Sequence, residues 1–311
     1  MTVLITGGTG MIGTRLANKL AAGGDRVIIL TRNATVKKIS HPSISFSEWD
    51  PSAFKIDKQA VAEADHIVHL AGAGVADKRW TVKRKKEIVS SRVQGGELLV
   101  RTLADHKNKV KTLISASGIG FYGPGNGAPG SRGFSEDDPP YKDFLARTCQ
   151  AWEASVAPAV ALGKRLVIFR AGIVLSPRGG ALEEFRKPLR FGIVPVLGTG
   201  KQVISWIHVE DLMEMYLLAM KNEHMSGTFN AVAPVAVTNR EFMRILKKTA
   251  KRPGLTVKVP TPLLKIVLGE MSVEVLKSAQ VSADKISSAG FSFRFPKLEN
   301  ALADLVKKPH R

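Results

Sequence analysis

Apolar positions in the first half of the chain follow two alternating rhythms. Short runs, apolar at nearly every position, occupy 3–6, 26–30, 44–46, 66–70, 112–116 and 165–170. Such runs predict strands buried on both faces, since a half-exposed strand alternates apolar with polar residues. Near 11–22, 56–63, 80–104 and 143–162 the apolar residues recur every three to four positions, which predicts helices. Strands alternating with helices, joined by right-handed crossovers, give an α/β fold with a doubly wound parallel sheet.

Past Arg170 the rhythm changes. Ser176-Pro177-Arg178-Gly179-Gly180 precedes an amphipathic segment over 182–191, then Gly198-Thr199-Gly200, a strand-like 203–208 and a helix from about 210 to 221. Short helices broken by Pro260, Pro262 and Pro296 follow. This pattern predicts a smaller, mixed C-terminal lobe. The glycine- and proline-rich segment 123–140 predicts a mobile loop.

The most informative string is Thr6-Gly7-Gly8-Thr9-Gly10-Met11-Ile12-Gly13, directly after the first strand. Gly7, Gly10 and Gly13 stand at G-x-x-G-x-x-G spacing. A strand turning sharply into a helix needs glycine for its dihedrals and for the close approach of a pyrophosphate. The helix N-terminus then offers free backbone N–H groups and the positive end of its dipole to the anion. Set between a strand and an amphipathic helix, the string predicts a Rossmann dinucleotide unit. The end of the second strand selects the cofactor. NAD needs a carboxylate there for its ribose hydroxyls. Here Leu30-Thr31-Arg32-Asn33 has none, and Arg32 suits a 2′-phosphate. The expected cofactor is NADP(H).

Composition changes this picture little. The 311 residues include 44 % hydrophobic and 23 % charged side chains, ordinary for a globular protein. No apolar run approaches the ~20 residues of a membrane span. The strand pattern begins at Thr2 with no basic region ahead of it, so no signal or transit peptide is expected. One cysteine, Cys149, leaves no internal disulfide and suits a reducing, cytoplasmic setting. The net charge of +19 is spread along the chain, with one dense run at Lys83-Arg84-Lys85-Lys86. Little aromatic interleaving and no recognisable motif argue against a nucleic-acid partner. No His/Cys cluster has metal-ligand spacing.

Three further strings join the glycine loop: His69-Leu70-Ala71-Gly72, Ser115-Ala116-Ser117 and Phe121-Tyr122-Gly123. Together they resemble the extended short-chain dehydrogenase/reductases. Within these, the chain looks like the epimerase-family proteins labelled nucleoside-diphosphate-sugar epimerases, some of which carry a cell-division-inhibitor label. Arg79-Trp80, Ser91-Arg92-Val93, Trp152-Glu153, Ser205-Trp206-Ile207-His208, Gly269-Glu270-Met271 and Gly290-Phe291-Ser292-Phe293 extend the likeness over essentially the whole chain, including the subgroup's own C-terminal domain. The resemblance implies an NADP(H)-binding domain over 1–170, with about 203–230 returning to it. It implies a substrate lobe and C-terminal helical domain mainly over 171–311, and a small-molecule substrate in the cleft between them. Cofactor contacts would come from Gly7, Thr9, Gly10, Met11, Ile12, Gly13, Arg32, Leu70, Ala71 and Gly72, with Asp50 near the adenine or its ribose.

The departures concern catalysis. The superfamily uses a Tyr-x-x-x-Lys pair on the helix that here carries Glu153, and register on that glutamate puts Leu145 and Cys149 at the two positions. Ser117 is the closest match to the family serine. Tyr122 either faces the cleft or packs as an aromatic over the cofactor loop, and Glu153 either serves as an acid, if buried without a counter-charge, or pairs with a neighbouring helix. His208 suits a helix cap, and Cys149 a small apolar residue. The arginine that grips a sugar-nucleotide diphosphate is missing from 203–208, which leaves Lys201 or Arg170 as substitutes. Two readings stay open: an oxidoreductase or epimerase of atypical mechanism, and an NADP(H)-responsive regulatory or partner-binding protein without turnover. The sequence carries no signal for an oligomeric state.

Overall fold

The computed structural model describes residues 1–33, 41–125 and 132–307. Its first half runs β1 (Thr2–Thr6), α1 (Met11–Ala22), β2 (Arg26–Thr31), β3 (Ile44–Asp50), β4 (Lys55–Ile56), α2 (Lys58–Glu63), β5 (His66–His69), α3 (Val82–Asp105), β6 (Thr112–Gly118), α4 (Phe144–Val156) and β7 (Arg165–Ala171). Next come β8 (Ile173–Leu175), α5 (Gly180–Leu189), β9 (Ile193–Leu197), β10 (Val203–Ile204), β11 (Trp206–His208), α6 (Val209–Lys221) and β12 (Gly227–Ala231). The chain ends with β13 (Val237–Thr238), α7 (Asn239–Thr249), β14 (Leu255–Val259), α8 (Thr261–Leu268), α9 (Ser272–Leu276), α10 (Asp284–Ser288) and α11 (Leu298–Lys307).

Among the described residues, eight strands form one sheet in the order β12-β7-β6-β5-β1-β2-β3-β4. Every pairing in it is parallel except the short β3–β4 hairpin. The order runs outward in both directions from β1, so the carboxyl ends of β1 and β5 flank the crevice where such sheets hold ligands.

Period-two alternation assigns the strand residues to two cores. Val3 and Ile5 face Leu16, Leu20 and Met213, on the side of α1 and α6. Leu4, Ile28 and Ile67 face Leu98, Leu99 and Val156, on the side of α3 and α4. Full burial of both faces explains why these strands read as unbroken apolar runs. A third core, built on Leu182, Trp206, Phe242 and Leu302, belongs to the later elements.

Several boundaries differ from the sequence pattern, each for a local reason. The helix expected over 143–162 ends at Val156, and a 3₁₀ turn, Ala157–Val160, takes over around Pro158, which has no N–H for the ladder. The strand-like 203–208 is two strands. β10 pairs antiparallel with β13, and β11 pairs parallel with β8. Between them the Ser205 hydroxyl donates to the Ala279 carbonyl (2.8 Å) and accepts from Val281 N–H (3.0 Å). Of the loop expected over 123–140, residues 126–131 lie outside the described residues. Its later part is tied down: Phe134 N–H donates to the Gln280 carbonyl (2.8 Å), and Asp138 accepts from Ser135 N–H (2.7 Å). No helix among the described residues is long and apolar enough to cross a membrane.

Candidate functional site

The turn from β1 into α1 is shaped by glycine. Gly7 has φ +69°, and a Cβ there would lie 2.8 Å from the Leu70 carbonyl carbon. A Cβ on Gly13 would run into the Gly7 carbonyl. These two contacts draw the loop down onto the end of β5 and the helix onto the loop. Gly10 caps α1 without a side chain, and the first turn has no acidic residue. The amides of Met11, Ile12 and Gly13 are therefore free of side-chain caps at the positive end of the helix, as an anion site requires. This cradle fits a pyrophosphate: it has room that only glycine leaves and no competing carboxylate.

Around the cradle, Thr6 organises the crevice. Its hydroxyl accepts from Leu70 N–H (3.1 Å) and Ala71 N–H (3.2 Å) and is bonded to His69 Nδ1 (2.8 Å). Thr6 thus locks the first residues after β5 to the last residue of β1. His69 is fully buried, with the rings of Trp49 and Trp152 edge-on at 6.3 and 6.1 Å. Burial lowers its pKa to about 4, so the ring is neutral at physiological pH. Ile12 packs on the core, Thr9 is half-buried, and Met11 lies beneath Gly179 and Gly180 at the start of α5.

At the end of β2, Arg32 is exposed. Asp50 caps a one-turn 3₁₀ helix, accepting from Ser52 N–H (3.0 Å) and Ser52 Oγ (2.6 Å). The Ser52 hydroxyl bond, aided by the charge of Arg32, holds its carboxyl below the usual range.

The residues after β5 are gripped by α3. Ala73 N–H donates to Ser91 Oγ (3.0 Å), Arg92 Nη1 donates to the Ala73 carbonyl (2.9 Å), and Arg84 Nη2 donates to the Gly74 carbonyl. A Cβ on Gly72 would lie 2.9 Å from Arg92 Cζ. The dense basic run is thereby split: Arg84 turns inward, and Lys85 pairs with Glu270 at 2.7 Å.

The three proposed catalytic side chains do meet, though not as the sequence suggested. Ser117 Oγ donates to Glu153 Oε1 (2.6 Å). Glu153 is not an uncompensated carboxylate, because Arg170 grips both its oxygens, from Nε and Nη2, at 2.8 Å each. Arg170 also donates from Nη1 to Tyr122 Oη (3.0 Å) and lies 3.4 Å from the Phe121 ring centroid. Tyr122 does not face the cleft. It is fully buried, stacks on Phe134, and donates to Asn230 Oδ1 (2.7 Å). Burial pushes its pKa up to about 12, which removes it as a proton shuttle. Asn230 N–H in turn donates to Glu136 Oε1 (2.6 Å). Arg170 is consumed by this cluster and is not available to grip a substrate diphosphate.

At the remaining positions, Cys149 is buried and its thiol is pushed up to about 11 by burial, so it is a spectator. His208 caps α6, its Nδ1 accepting from Glu210 N–H (3.1 Å). Among the described residues, no group of three or more His, Cys, Asp or Glu side chains could hold a metal ion. Sequence reasoning missed Asn230 and Glu136 altogether and gave Thr6, Arg84 and Arg92 no role. Ser91-Arg92 was visible as a string, but its two-sided hold on Ala73 needs the fold.

Residues 3–231 match the model of the NAD dependent epimerase/dehydratase family, and residues 259–305 match a domain of unknown function, DUF1731. An epimerase family protein of Staphylococcus aureus (strain MRSA252) is 35 % identical over 309 residues, spanning 98 % of this chain and 99 % of the relative. A human epimerase family protein (isoform 2), crystallised with NADPH, superposes with a TM-score of 0.84 at 27 % identity, over 99 % of this chain and 100 % of that one. A nucleoside-diphosphate sugar epimerase from Corynebacterium glutamicum gives 0.76 at 31 % identity, over 98 % of this chain and 58 % of that one. The chain belongs to the NAD-dependent epimerase/dehydratase family.

Proposed function

We propose that this member of the NAD-dependent epimerase/dehydratase family binds NADP(H) and is an oxidoreductase or epimerase of atypical mechanism. Its substrate is a small molecule, held between the 1–170 unit and the later lobe. The carrying observation is the glycine cradle at the N-terminus of α1, followed at the end of β2 by Arg32 in a stretch, Leu30 to Asn33, that contains no carboxylate of its own. The NADPH complex of the human relative supports the same choice. Gly7, Gly10 and Gly13 would hold the pyrophosphate, Arg32 the 2′-phosphate, and Leu70, Ala71 and Gly72 the face beside β5. When bound, this cofactor supplies or accepts a hydride at its nicotinamide ring.

Proton handling falls to Ser117 and Glu153. The Ser117 hydroxyl spends its proton on Glu153 (2.6 Å), which leaves the serine oxygen as an acceptor. A substrate hydroxyl donating there would lose its proton to Ser117 as the serine proton passes to Glu153, and the reverse relay would return a proton to the same substrate oxygen. Arg170 keeps Glu153 fixed in that line with a bidentate grip. The buried free thiol of Cys149 suits a reducing, cytoplasmic compartment.

Titration of the protein with NADPH and NADH tests the cofactor reading. NADPH is expected to bind more tightly, and Arg32→Asp to cost it about 10–100-fold, the scale of a charge-assisted contact, while leaving NADH little changed. Equal affinities in the parent protein, unmoved by the variant, would sink the assignment. The second reading, a cofactor-responsive binding protein without turnover, is favoured by one observation: Leu145 and the spectator Cys149 stand where the superfamily has its pair. Cofactor oxidation across a panel of carbonyl and sugar substrates separates the two.

A further inference from the structure

We propose that Arg92 binds the ribose–phosphate groups at the nicotinamide end of the dinucleotide, through guanidinium N–H groups that no hydrogen bond among the described residues uses. This rests on the reading that the glycine cradle holds NADP(H).

Arg92 lies on α3 and is 8 % exposed. Its Nη1 donates to the carbonyls of Ala73 and Ile88, each at 2.9 Å. None of the hydrogen bonds among the described residues uses its Nε or Nη2, and none of the ion pairs among them includes it. The Trp152 ring lies 4.9 Å from Cζ, a cation–π contact. A cation buried without a carboxylate is costly to keep, so such a residue implies a partner that arrives with the ligand. Glu153, on neighbouring α4, is already bound by Arg170.

The position identifies that partner. The guanidinium lies against Gly72, after β5, and its charge reaches Cys149 on α4. The Cys149 sulfur in turn lies 3.8 Å from where a Cβ on Gly118 would be, at the end of β6. Arg92 therefore sits at the carboxyl ends of β5 and β6. The pyrophosphate cradle is at the end of β1, and Arg32 is at the end of β2, on the other side of it. A dinucleotide with its 2′-phosphate near β2 and its pyrophosphate over β1 must extend its other half over β5 and β6. The groups that pass Arg92 are then hydroxyls and phosphate oxygens, both acceptors suited to a guanidinium.

The test compares NADPH with adenosine 2′,5′-bisphosphate, which has the adenosine half alone. Both are titrated against the parent protein and against Arg92→Met, Arg92→Lys and Ser91→Ala. Arg92→Met is expected to weaken NADPH about tenfold or more and to leave the fragment within about twofold. Arg92→Lys, which keeps the charge and the fold, is expected to recover part of the loss. Ser91→Ala loosens the same loop from its other side and is expected to leave the ratio of the two affinities unchanged. Equal losses for NADPH and fragment in Arg92→Met would reduce Arg92 to a prop for the loop and overturn the proposal. So would full NADPH affinity in both Arg92 variants. If the parent protein binds neither ligand, the cofactor reading itself fails, a result no Arg92 variant can mimic.

Discussion

The glycine cradle and the Glu153–Arg170 cluster stand at carboxyl ends of strands in the same sheet and are built in opposite ways. The cradle comes from eight consecutive residues, Thr6 to Gly13, and its shape follows from what those residues lack: side chains at Gly7 and Gly13 and a capping group at Gly10. The cluster is assembled from β6, α4, β7, β12 and the segments beside them. Its bonds span 17 residues from Arg170 to Glu153, 36 from Ser117 to Glu153 and 108 from Tyr122 to Asn230. One site is open and waiting for charge. The other is closed, and its charges already cancel. Motif-like strings in both regions look equally suggestive, yet only the first keeps unspent donors. The two differ in how much hydrogen-bond capacity is left: the cradle keeps several free amides, whereas the cluster keeps little beyond the acceptor side of Ser117.

The largest effect expected on this contrast comes from Arg170→Ala. It strands the Glu153 carboxylate and removes a donor from Tyr122, at a cost of about 3–5 kcal/mol in unfolding free energy. Urea denaturation measures it. The double variant Arg170→Met with Glu153→Gln removes both charges and is expected to regain part of the loss. If the single variant unfolds at the parent's urea concentration, the cluster is not the closed structural element described here.

Next comes pH. An unfolded histidine protonates near 6.5, whereas burial holds His69 neutral down to about 4. The stability this contributes is complete above pH 6.5 and is lost as the pH falls toward 4, on the order of 3 kcal/mol. His69→Gln is expected to flatten that part of the stability profile relative to the parent. Because His69 bonds Thr6 beneath the cradle, cofactor affinity should fall over the same range. Parallel profiles for parent and variant would separate His69 from both effects.

The smallest effect in free energy, read in binding, is expected from Gly13→Ala. Its methyl group pushes against the Gly7 carbonyl and opens the cradle. NADPH affinity is expected to fall about 100-fold, near 2.7 kcal/mol, with a smaller change in the unfolding midpoint. Unchanged binding in a titration would show that the cradle tolerates a side chain and break the contrast from its other end.

Legibility followed the range of the interactions. Strands β1, β2, β5, β6 and β7 were readable because burial on both faces leaves an unbroken apolar run. The short strands of the later lobe were not, because two or three residues carry no period; β10 and β11 are defined by different partners, not by their own sequence. Glu153 and Tyr122 stand in suggestive strings, but what they do depends on partners far along the chain. A carboxylate and a phenol in a suggestive string look reactive until Arg170 and Asn230, from β7 and β12, are placed against them.

By itself, then, the sequence determined the doubly wound sheet, the glycine turn at the start of α1 and the presence of Arg32, with no carboxylate, at the end of β2. Each of these is a matter of local backbone freedom, local periodicity or a single charge at a strand end. The tertiary structure alone decided which charges are neutralised and which remain. It closed Glu153 with Arg170, sealed Tyr122 against Asn230, turned Asp50 into a cap, and left Arg92 buried with donors to spare. The physical reason is that desolvation and pairing depend on neighbours brought together by the sheet order, and no spacing along the chain encodes them.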